Sequence, residues 1–544
     1  MEFDAILIPP RREAMIKQGH WPDRTINDYF DTCVAKAPDK KALTAFRTGS
    51  EEEVSFTYRE LAAMADRIAV GLSKLGLGKN DVLSLQLPNW WQFTALYLAC
   101  ARIGVVVNPL MHIFRERELS FMLSHVRSKA IVIPKIFNNF DHETMLDGLR
   151  GDLPDLEQVI VVDGEGDNSF EALLSGPKWE KDPEAEGILM GSRLGPDDVT
   201  QVMYTSGTTG EPKGVMHSAN TLLANILPLC ERLELGEDEV VFMASPMAHQ
   251  TGFLHGMMMP VVVGGSAVLQ DIWNPIGAIS LIRDKKCTFT MASTPFLSDL
   301  SKTVKESDSS VPSLRVFACA GAPIPGPLVE QAKEGLGAKV ISAWGMTENG
   351  AVTTALLDDP DERSVNTDGC PLPGMEVRVV DAEGVPLPSG AEGRLQARGS
   401  SNFGGYLKRP QLNNVDDDGW METGDMAFVD NSGYIRICGR SKDIIIRGGE
   451  NVPVVEIEAM LYKHPAVETA AIVGYPDERL GERACVFVAT SPGQSLTFEE
   501  MVDFLVQQKI AKQYLPERLE VREHLPVTPS GKVQKFKLRE MLKG

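Results

Sequence analysis

The sequence has few of the features of a secreted, membrane-bound or nucleic-acid-binding protein. Lysine and arginine number 54 against 75 aspartates and glutamates, and the formal charge is −21. This acidic balance opposes binding to nucleic acid or to anionic membranes, because such binding depends on a basic surplus. The N-terminus starts with an acidic segment at residues 1–4 and lacks a basic and then apolar signal pattern, so we expect a cytoplasmic protein. The longest apolar stretch, residues 253–269, is short and interrupted by glycine, proline and histidine, and is predicted to be buried core.

Cysteine is scarce and scattered. The eight cysteines form no C-x-x-C pair and have no histidine nearby at metal-ligand spacing, which predicts buried thiols in a reducing compartment. The apolar fraction of 43% and the charged fraction of 24% are ordinary for a globular protein. A chain of 544 residues is too long for a single core, and domain sizes predict about three lobes.

Helix and strand signals alternate through the first part of the chain. Thr57 and Glu60 form a capping box ahead of an amphipathic run that Gly76 closes, which predicts a helix. An apolar strand at 82–87 and a helix at 91–103 follow, and further strand signals recur after them. Such alternation is typical of parallel α/β layers.

The pattern changes twice towards the C-terminus. From about Met375, short strands separated by glycine, proline and aspartate turns indicate a small β-rich lobe. After about Arg440, helices and strands with a basic tail indicate a compact α+β domain of normal size. We therefore predict an α/β fold. A large N-terminal domain, residues 1–440, contains layered α/β subdomains and the β-rich lobe, and a small mobile α+β domain, residues 441–544, follows it.

One loop combines flexibility with many hydrogen-bond donors. Residues 204–214, YTSGTTGEPKG, contain three glycines and four serines or threonines. Glycines let backbone N–H groups approach phosphate oxygens, hydroxyls add donors, and Lys213 adds a positive charge, so the loop predicts a polyphosphate site. The loop lacks the glycine and lysine spacing of a Walker loop. An exposed, flexible turn is the alternative interpretation of the same composition.

Five segments in order resemble the adenylate-forming superfamily of acyl-CoA synthetases, firefly luciferases and peptide-synthetase adenylation domains. They are the loop above, WGMTE at 344–348, ETGD at 422–425, GRSKDIIIRGGEN at 439–451 and PSGKVQK at 529–535. The resemblance covers essentially the whole chain and points to bacterial short- or medium-chain and cyclohexanecarboxylate CoA ligases. It implies an enzyme that activates a carboxylic acid as an acyl adenylate and passes the acyl group to coenzyme A, using ATP and Mg²⁺.

The resemblance also assigns residues to the nucleotide. Asp425 matches the acid that accepts hydrogen bonds from the ribose hydroxyls, and Arg440 matches a second ribose and phosphate contact. On composition alone, Asp425 would be a turn residue beside Gly424. Trp344 stands where the family usually has a tyrosine stacked on adenine. The remaining nucleotide contacts implied by the motifs are Thr205, Ser206, Gly207, Thr208, Thr209, Gly210, Lys213, Gly321, Ala322, Pro323, Gly345 and Thr347.

The reacting centre is assigned to Lys532, Thr347, Glu348 and His249, and Glu348 is also the expected magnesium ligand. Lys532 matches the lysine whose ammonium offsets the repulsion between the attacking carboxylate and the α-phosphate. Without the motifs, Glu348 and Lys532 would be interpreted as ordinary solvated side chains.

Lys532 lies about three hundred residues beyond the phosphate loop and across the predicted domain boundary, which implies that a mobile domain delivers it. In the family this domain rotates after adenylation, and Lys442 matches the hinge position. Gly448 and Gly449 match the backbone beside the pantetheine channel, where the missing side chains permit close approach. A hairpin turn is the simpler interpretation of this glycine pair.

The acid substrate is predicted from residues 245–253, SPMAHQTGF, which contain no acid to pair with a substrate ammonium. An uncharged acyl group is therefore expected. Methionines 257–259, with Phe296 and Trp344 as further walls, suit a short- to medium-chain aliphatic or alicyclic acid such as cyclohexanecarboxylate, because methionine adapts to irregular apolar shapes. Plain core is the alternative interpretation of the methionines. No carrier-protein segment follows Lys532, so free CoA is expected as the acceptor.

Other functions stay open from the sequence. They are an aryl or long-chain acyl-CoA ligase, a ligase that loads a carrier protein, a luciferase-like enzyme, and a non-catalytic sensor of nucleotide or acyl-AMP. CoA-dependent release of AMP would support the synthetase, whereas accumulation of acyl-AMP despite CoA would support the other enzymes. We expect small-molecule partners, no nucleic acid and no integral membrane segment, and a homodimer is compatible with the sequence.

Overall fold

A computed structural model describes residues 2–49, 52–191, 193–205, 212–321, 324, 326–440, 443, 445–447, 450–477, 480–508, 510, 512–528 and 531–542. These residues form two large mixed sheets flanked by helices, a four-stranded antiparallel sheet, and a smaller C-terminal sheet with helices of its own. The predicted α/β class, with a β-rich lobe and a small C-terminal α+β unit, is confirmed.

The strands of the described residues, in chain order, are β1 (Lys41–Arg47), β2 (Glu52–Thr57), β3 (Val82–Leu85), β4 (Val106–Pro109), β5 (Ala130–Pro134), β6 (Ile136–Phe137), β7 (Phe140–Asp141), β8 (Gln158–Val162), β9 (Val199–Thr205), β10 (Lys213–Ser218), β11 (Val240–Met243), β12 (Ser266–Gln270), β13 (Phe289–Ala292), β14 (Val316–Ala320), β15 (Lys339–Met346), β16 (Gly350–Thr354), β17 (Cys370–Pro371), β18 (Met375–Val380), β19 (Gly393–Gly399), β20 (Gly405–Tyr406), β21 (Met421–Val429), β22 (Ile435–Arg440), β23 (Ile446–Arg447), β24 (Glu450–Asn451), β25 (Val467–Asp477), β26 (Gly481–Thr490) and β27 (Arg518–Arg522).

The α-helices of the same residues are α1 (Pro9–Lys17), α2 (Ile26–Lys36), α3 (Tyr58–Lys74), α4 (Trp91–Ile103), α5 (Glu116–His125), α6 (His142–Leu149), α7 (Ala185–Leu189), α8 (Ala219–Arg232), α9 (Met259–Val263), α10 (Pro275–Asp284), α11 (Thr294–Glu306), α12 (Gly326–Leu336), α13 (Asp361–Asn366), α14 (Val454–Leu461), α15 (Phe498–Gln507) and α16 (Lys535–Met541). No helix in the described ranges is both long enough and apolar enough to span a bilayer.

The two large sheets are parallel at their centres, and antiparallel strands lie at both edges of the first sheet and at one edge of the second. The first has the order β17-β16-β15-β14-β13-β11-β12-β1-β2, and the second has the order β20-β10-β9-β4-β3-β5-β8. In the first sheet the strands from β1 to β15 along this order run parallel, while β2, β16 and β17 pair antiparallel. The alternating signals therefore predict the centres correctly. The alternating signals do not reveal the antiparallel strands at the edges. Such strands can follow one another through short connections, without a helix between them.

The C-terminal part has a core of its own. The sheet β24-β23-β26-β25, with β27 beside β26, packs with α14, α15 and α16. Two clusters of buried apolar residues there contain only side chains from Ile445 onwards. The β-rich lobe differs, because Leu395, Ala427 and Ile435 belong to the main core of the large sheets.

Two local predictions show how the sequence determines the elements. Thr57 caps α3, its side chain accepting from the Glu60 backbone N–H, and α3 begins at Tyr58. The apolar stretch 253–269 is buried core made of a π-helical turn, α9 and β12. All eight cysteines are free thiols, with Cys370 and Cys438 half-buried and the others buried.

Candidate active site

The carboxyl ends of neighbouring strands bring several predicted residues to one edge of the first sheet. β11, β13, β14 and β15 are adjacent and parallel. His249 follows β11, Gly321 follows β14, and Trp344 lies near the end of β15, three residues before Thr347. Gly321 has a φ of +91°, which favours glycine at this strand end. Ligands of open α/β sheets bind at this edge.

Gly345 is required for packing at the same edge. It lies at a bulge where β15 pairs with β16. A Cβ built on Gly345 would lie 1.7 Å from the carbonyl oxygen of Gly350, so no larger residue fits without moving the backbone. The glycine thus fixes how closely the two strands approach beside Trp344.

Asp425 is held by two donors from different elements. It lies opposite Arg440 on the neighbouring strands β21 and β22. Arg440 Nε is 2.7 Å from Oδ1, and the indole N–H of Trp344 donates to Oδ2 at 3.0 Å. The carboxylate is buried, and the guanidinium offsets the cost of burying its charge. Asp425 therefore directly contacts the other two residues predicted for ribose and base.

Glu348 and Lys213 are joined by one tyrosine hydroxyl. Glu348 is buried, and its Oε1 accepts from Tyr406 Oη at 2.6 Å. Lys213 Nζ donates to the same Tyr406 oxygen at 2.8 Å. Burial, and after it the charge of Glu348, raises the pKa of Tyr406 above its usual value, so the phenol stays a neutral donor. Sequence reasoning missed Tyr406, which lies on the edge strand β20 beside β10.

Thr347 is positioned by a second residue that sequence reasoning missed. His217 lies on β10, and its Nε2 is 2.8 Å from the carbonyl oxygen of Thr347, while Nδ1 is 3.0 Å from Thr221 Oγ1. Burial lowers the pKa of His217 to about 4, so the imidazole is neutral and Nε2–H can donate to the carbonyl. The strand that follows the phosphate loop thereby anchors the segment that carries Glu348.

Lys532 reaches this edge from the C-terminal part. Two hydrogen bonds join Lys532 to Thr528: the Thr528 N–H donates to the Lys532 carbonyl at 2.7 Å, and the Lys532 N–H donates to Thr528 Oγ1 at 3.0 Å. A Cβ on Gly531, whose φ is +78°, would lie 2.9 Å from Pro295 Cγ in α11. Gly531 therefore packs directly on Pro295 of the large domain, where only glycine allows this approach.

The Lys532 ammonium lies in a crowded electrostatic environment. The residue is exposed to water, although many protein atoms surround its ammonium. That crowding, and after it the charge of Arg440, lowers the pKa of Lys532 to about 8, while Asp425 opposes the shift. Burial and then the charge of Lys532 lower the pKa of His249 to about 4. Lys532 is thus within electrostatic range of Asp425, Arg440 and His249.

The predicted acyl segment is a buried helix packed on β11. Residues Gly252–Met258 form a π-helical turn that continues into α9. A Cβ on Gly252 would lie 2.3 Å from the Pro246 carbonyl oxygen, and one on Gly256 would lie 2.4 Å from Met243 Cγ. The two glycines let the helix lie directly against the strand end.

The residues expected to line the acyl pocket lie in two different layers of the fold. Methionines 257–259 and Trp344 belong to one buried cluster. Phe296, expected as another wall beside them, packs on Trp273 with 4.7 Å between ring centroids, in the layer formed with α10 and α11. The expectation for Phe296 is wrong, because it packs with Phe242 on one face of the first sheet, whereas the methionines pack with Met243 on the other. Successive residues of a strand such as β11 point to opposite faces.

Thr205 is the last described residue before the central part of the phosphate loop. It ends β9, and its hydroxyl oxygen is buried without a hydrogen-bond partner among the described residues. A buried hydroxyl left in this way costs free energy, so it fits a donor that a ligand oxygen would satisfy. The other predicted positions lie outside the described residues: Ser206, Gly207, Thr208, Thr209, Gly210, Ala322, Pro323, Lys442, Gly448 and Gly449.

Comparisons with known protein families match the chain twice. The model of the AMP-binding enzyme family matches residues 30–407, and the model of the AMP-binding enzyme C-terminal domain matches residues 456–532.

Relatives and solved structures match almost the whole chain. The medium-chain fatty-acid–CoA ligase of Escherichia coli (strain K12) is 37% identical over 97% of this chain and 92% of its own length. The 2,3-dihydroxybenzoate–AMP ligase of Bacillus subtilis (strain 168) is 32% identical over 97% of this chain and 96% of its own. A crystal structure of an anthranilate CoA ligase in complex with anthranoyl-AMP superposes with a TM-score of 0.85 at 25% identity, covering 96% of this chain and 97% of that one.

Proposed function

The chain belongs to the family of AMP-binding enzymes and is an ATP-dependent, AMP-forming acyl-CoA ligase, and we propose that its acid is a short- to medium-chain aliphatic or alicyclic carboxylic acid. The support for this acid class is the 37% identity to a medium-chain fatty-acid–CoA ligase. The buried methionines 257–259 and the absence of an acid in residues 245–253 agree with an uncharged, apolar acyl group.

The acid class is tested by measuring CoA-dependent AMP release with hexanoate, octanoate, cyclohexanecarboxylate, benzoate and palmitate. We expect kcat/KM for octanoate or cyclohexanecarboxylate to exceed that for palmitate by about tenfold or more, because each methylene beyond the end of a closed pocket must stay in water or displace protein. The Lys532→Ala variant is the control for acid-independent AMP release. A clear preference for palmitate overturns the proposal. A clear preference for benzoate also overturns it and would favour an aryl acid, in line with the 32% identity to a 2,3-dihydroxybenzoate–AMP ligase.

In the first half-reaction a carboxylate oxygen attacks the α-phosphorus of ATP, and the bond to the β-phosphate breaks so that pyrophosphate leaves. We assign Thr205, the loop 206–210 and Lys213 to the β- and γ-phosphates, where hydroxyls, amides and an ammonium offset the charge of the leaving group. The Lys532 ammonium offsets the negative charge that builds up on the pentacoordinate α-phosphate, and it holds the incoming carboxylate beside that phosphate. His249, neutral because of its lowered pKa, lies within electrostatic range of this ammonium, and we assign it to the acid.

The residues present fit Mg²⁺ bound together with ATP. Glu348 offers a buried carboxylate, of which the Tyr406 hydrogen bond uses one oxygen. In the described ranges no three His, Cys, Asp or Glu side chains cluster as a metal site. A single carboxylate agrees with the usual binding of Mg²⁺, which takes one or two carboxylates and the substrate phosphates. When bound, Mg²⁺ would neutralise phosphate charge. Tyr406 keeps the Glu348 carboxylate oriented for it.

In the second half-reaction the CoA sulfur attacks the acyl carbonyl carbon, and the bond to the AMP oxygen breaks. We propose that the domain boundary at residues 440/441 is a hinge and that the domain 441–544 rotates about Lys442, which withdraws Lys532 and brings Gly448 and Gly449 to the site. The separate apolar core of the C-terminal part supports a rigid-body movement. The backbone of the glycine pair would leave room for the pantetheine arm.

The lowered pKa of Lys532 limits adenylation at alkaline pH. The ammonium is the active form, and with a pKa of about 8 it is protonated below that pH and loses its charge as the pH rises through it. We expect kcat for acid-dependent ATP–pyrophosphate exchange to be level near pH 7 and to fall above about pH 8. Lys532→Arg keeps its charge over this range and should lack that alkaline fall, measured as a normalised profile from pH 6.5 to 10. A wild-type profile that stays level beyond pH 9.5 would contradict the assignment.

A further inference from the structure

The indole N–H of Trp344 has a partner that stacking on a base does not require. Trp344 lies on β15 of the first large sheet, and Asp425 lies on β21 of the four-stranded sheet. The N–H donates across the two sheets to Asp425 Oδ2 at 3.0 Å, in buried surroundings. An aromatic side chain that provides only a flat face could be phenylalanine. The hydrogen bond therefore needs a separate explanation.

Arg440 by itself would not fix the Asp425 carboxylate. Its Nε binds Oδ1 at 2.7 Å, and its side chain is 39% exposed, whereas that of Asp425 is 4% exposed. A carboxylate held at one oxygen can still turn about its last side-chain bond, because this torsion has a broad energy minimum. Trp344 is rigid and only 9% exposed, and its N–H holds the second oxygen. The two donors together define the plane of the carboxylate.

A fixed carboxylate plane matches the chemistry of a ribose. An ionised carboxylate has about four acceptor positions on its two oxygens. Trp344 takes one position on Oδ2 and Arg440 takes one on Oδ1, which leaves one on each oxygen as far as the described residues are concerned. The 2′- and 3′-hydroxyls of a ribose supply two adjacent O–H donors for these two positions. A 2′-deoxyribose supplies one donor and leaves one acceptor unsatisfied in a buried place, which costs binding free energy.

We propose that Trp344 is a positioning residue for ribose recognition, whose indole N–H orients the Asp425 carboxylate towards both ribose hydroxyls and thereby sets the preference for ATP over 2′-deoxyATP. The proposal rests on the assignment of Asp425 to the ribose. The proposal distinguishes two roles of the Trp344 side chain, namely stacking on the base and donation of its N–H to Asp425. Loss of a stacking face weakens the binding of both nucleotides alike, whereas loss of the N–H weakens mainly the nucleotide that offers two hydroxyls.

The test measures kcat and KM for ATP and for 2′-deoxyATP in pyrophosphate exchange with the preferred acid. For Trp344→Phe we expect KM for ATP to rise about tenfold, with kcat and the KM for 2′-deoxyATP changed less than about threefold, because one hydrogen bond to a charged group is lost. The preference for ATP then falls about tenfold. Trp273→Phe is the matched control, since it removes an indole N–H bond to Asp299 Oδ2 of 2.8 Å, and it should keep the wild-type preference.

Further variants show whether a negative result overturns the role of Trp344 or the assignment of Asp425 to the ribose. Asp425→Asn should lose the preference for ATP as well. If Asp425→Asn keeps the wild-type preference, the assignment of Asp425 to the ribose is wrong. If Asp425→Asn loses the preference and Trp344→Phe weakens ATP and 2′-deoxyATP equally, the role of Trp344 is overturned and stacking explains its effect. Trp344→Met, which is apolar and has no N–H or O–H donor in its side chain, replaces Trp344→Phe should that variant fail to fold. The readout is then the ratio of the two KM values, because loss of the aromatic face affects both nucleotides alike.

Discussion

Replacing Lys532 with alanine is expected to slow adenylation by about 100- to 1,000-fold, while thioester formation from supplied acyl-AMP continues near the wild-type rate. The reason is the position of the ammonium, which lies within electrostatic range of Asp425, Arg440 and His249. Two anions must meet in the first half-reaction, and the ammonium offsets their repulsion. In the second half-reaction a thiol attacks an acyl adenylate, and the proposed rotation has already removed Lys532.

The two half-reactions are measured separately, by ATP–pyrophosphate exchange without CoA and by acyl-CoA formation from synthetic acyl-AMP. Lys537→Ala is the matched control, because Lys537 is an exposed lysine on α16 of the same domain. It should leave both rates unchanged. Equal losses of both half-reactions in Lys532→Ala would contradict the account of a lysine that acts in adenylation alone.

Replacing Glu348 with glutamine is expected to lower adenylation by about a hundredfold and to raise the Mg²⁺ concentration needed for half-maximal activity. Glutamine keeps the shape of the side chain but removes the charge proposed to bind the metal. Tyr406→Phe should have a smaller effect of about tenfold, because it removes one hydrogen bond to a charged group and leaves the carboxylate in place. The measurement is initial-rate pyrophosphate exchange over a range of Mg²⁺ concentrations.

Tyr434→Phe provides the matched control for Tyr406→Phe. The Tyr434 hydroxyl also donates to a carboxylate, that of Asp359, at 2.8 Å from Oδ2 and 2.9 Å from Oδ1, and neither residue is assigned to the metal or the phosphates. It should leave the Mg²⁺ dependence unchanged. Wild-type activity in Tyr406→Phe would remove the bridging role of that hydroxyl, and wild-type Mg²⁺ dependence in Glu348→Gln would remove the metal assignment.

The motifs identify residues near the chemistry, and the structure adds residues far away in sequence that hold them. The hydrogen bonds of Tyr406 span 58 residues to Glu348 and 193 residues to Lys213. His217 reaches Thr347 over 130 residues. A dipeptide such as Gly405–Tyr406 shows no periodicity or charge pattern from which its place at the edge of β10 could be derived. Such contacts depend on how the sheets pack, which no local pattern encodes.

Predictions from the sequence were right where a feature depends on residues close together in the chain, and wrong or incomplete where it depends on how distant elements pack. The capping box at Thr57 predicted the start of α3 because capping is determined within one turn of chain. Phe296 was placed in the wrong layer because an apolar residue at a helix start is equally suited to either side of a sheet covered on both faces. For Trp344 the sequence indicated an aromatic face, while the partner of its N–H became known only from the packing of β15 against β21.

The most direct test of the central claim is acid-dependent exchange of labelled pyrophosphate into ATP, in the presence of Mg²⁺ and the absence of CoA. The wild-type enzyme with octanoate or cyclohexanecarboxylate should incorporate label, and Lys532→Ala should incorporate little under the same conditions. Failure of the wild-type enzyme to incorporate label with any acid of the panel would contradict the account.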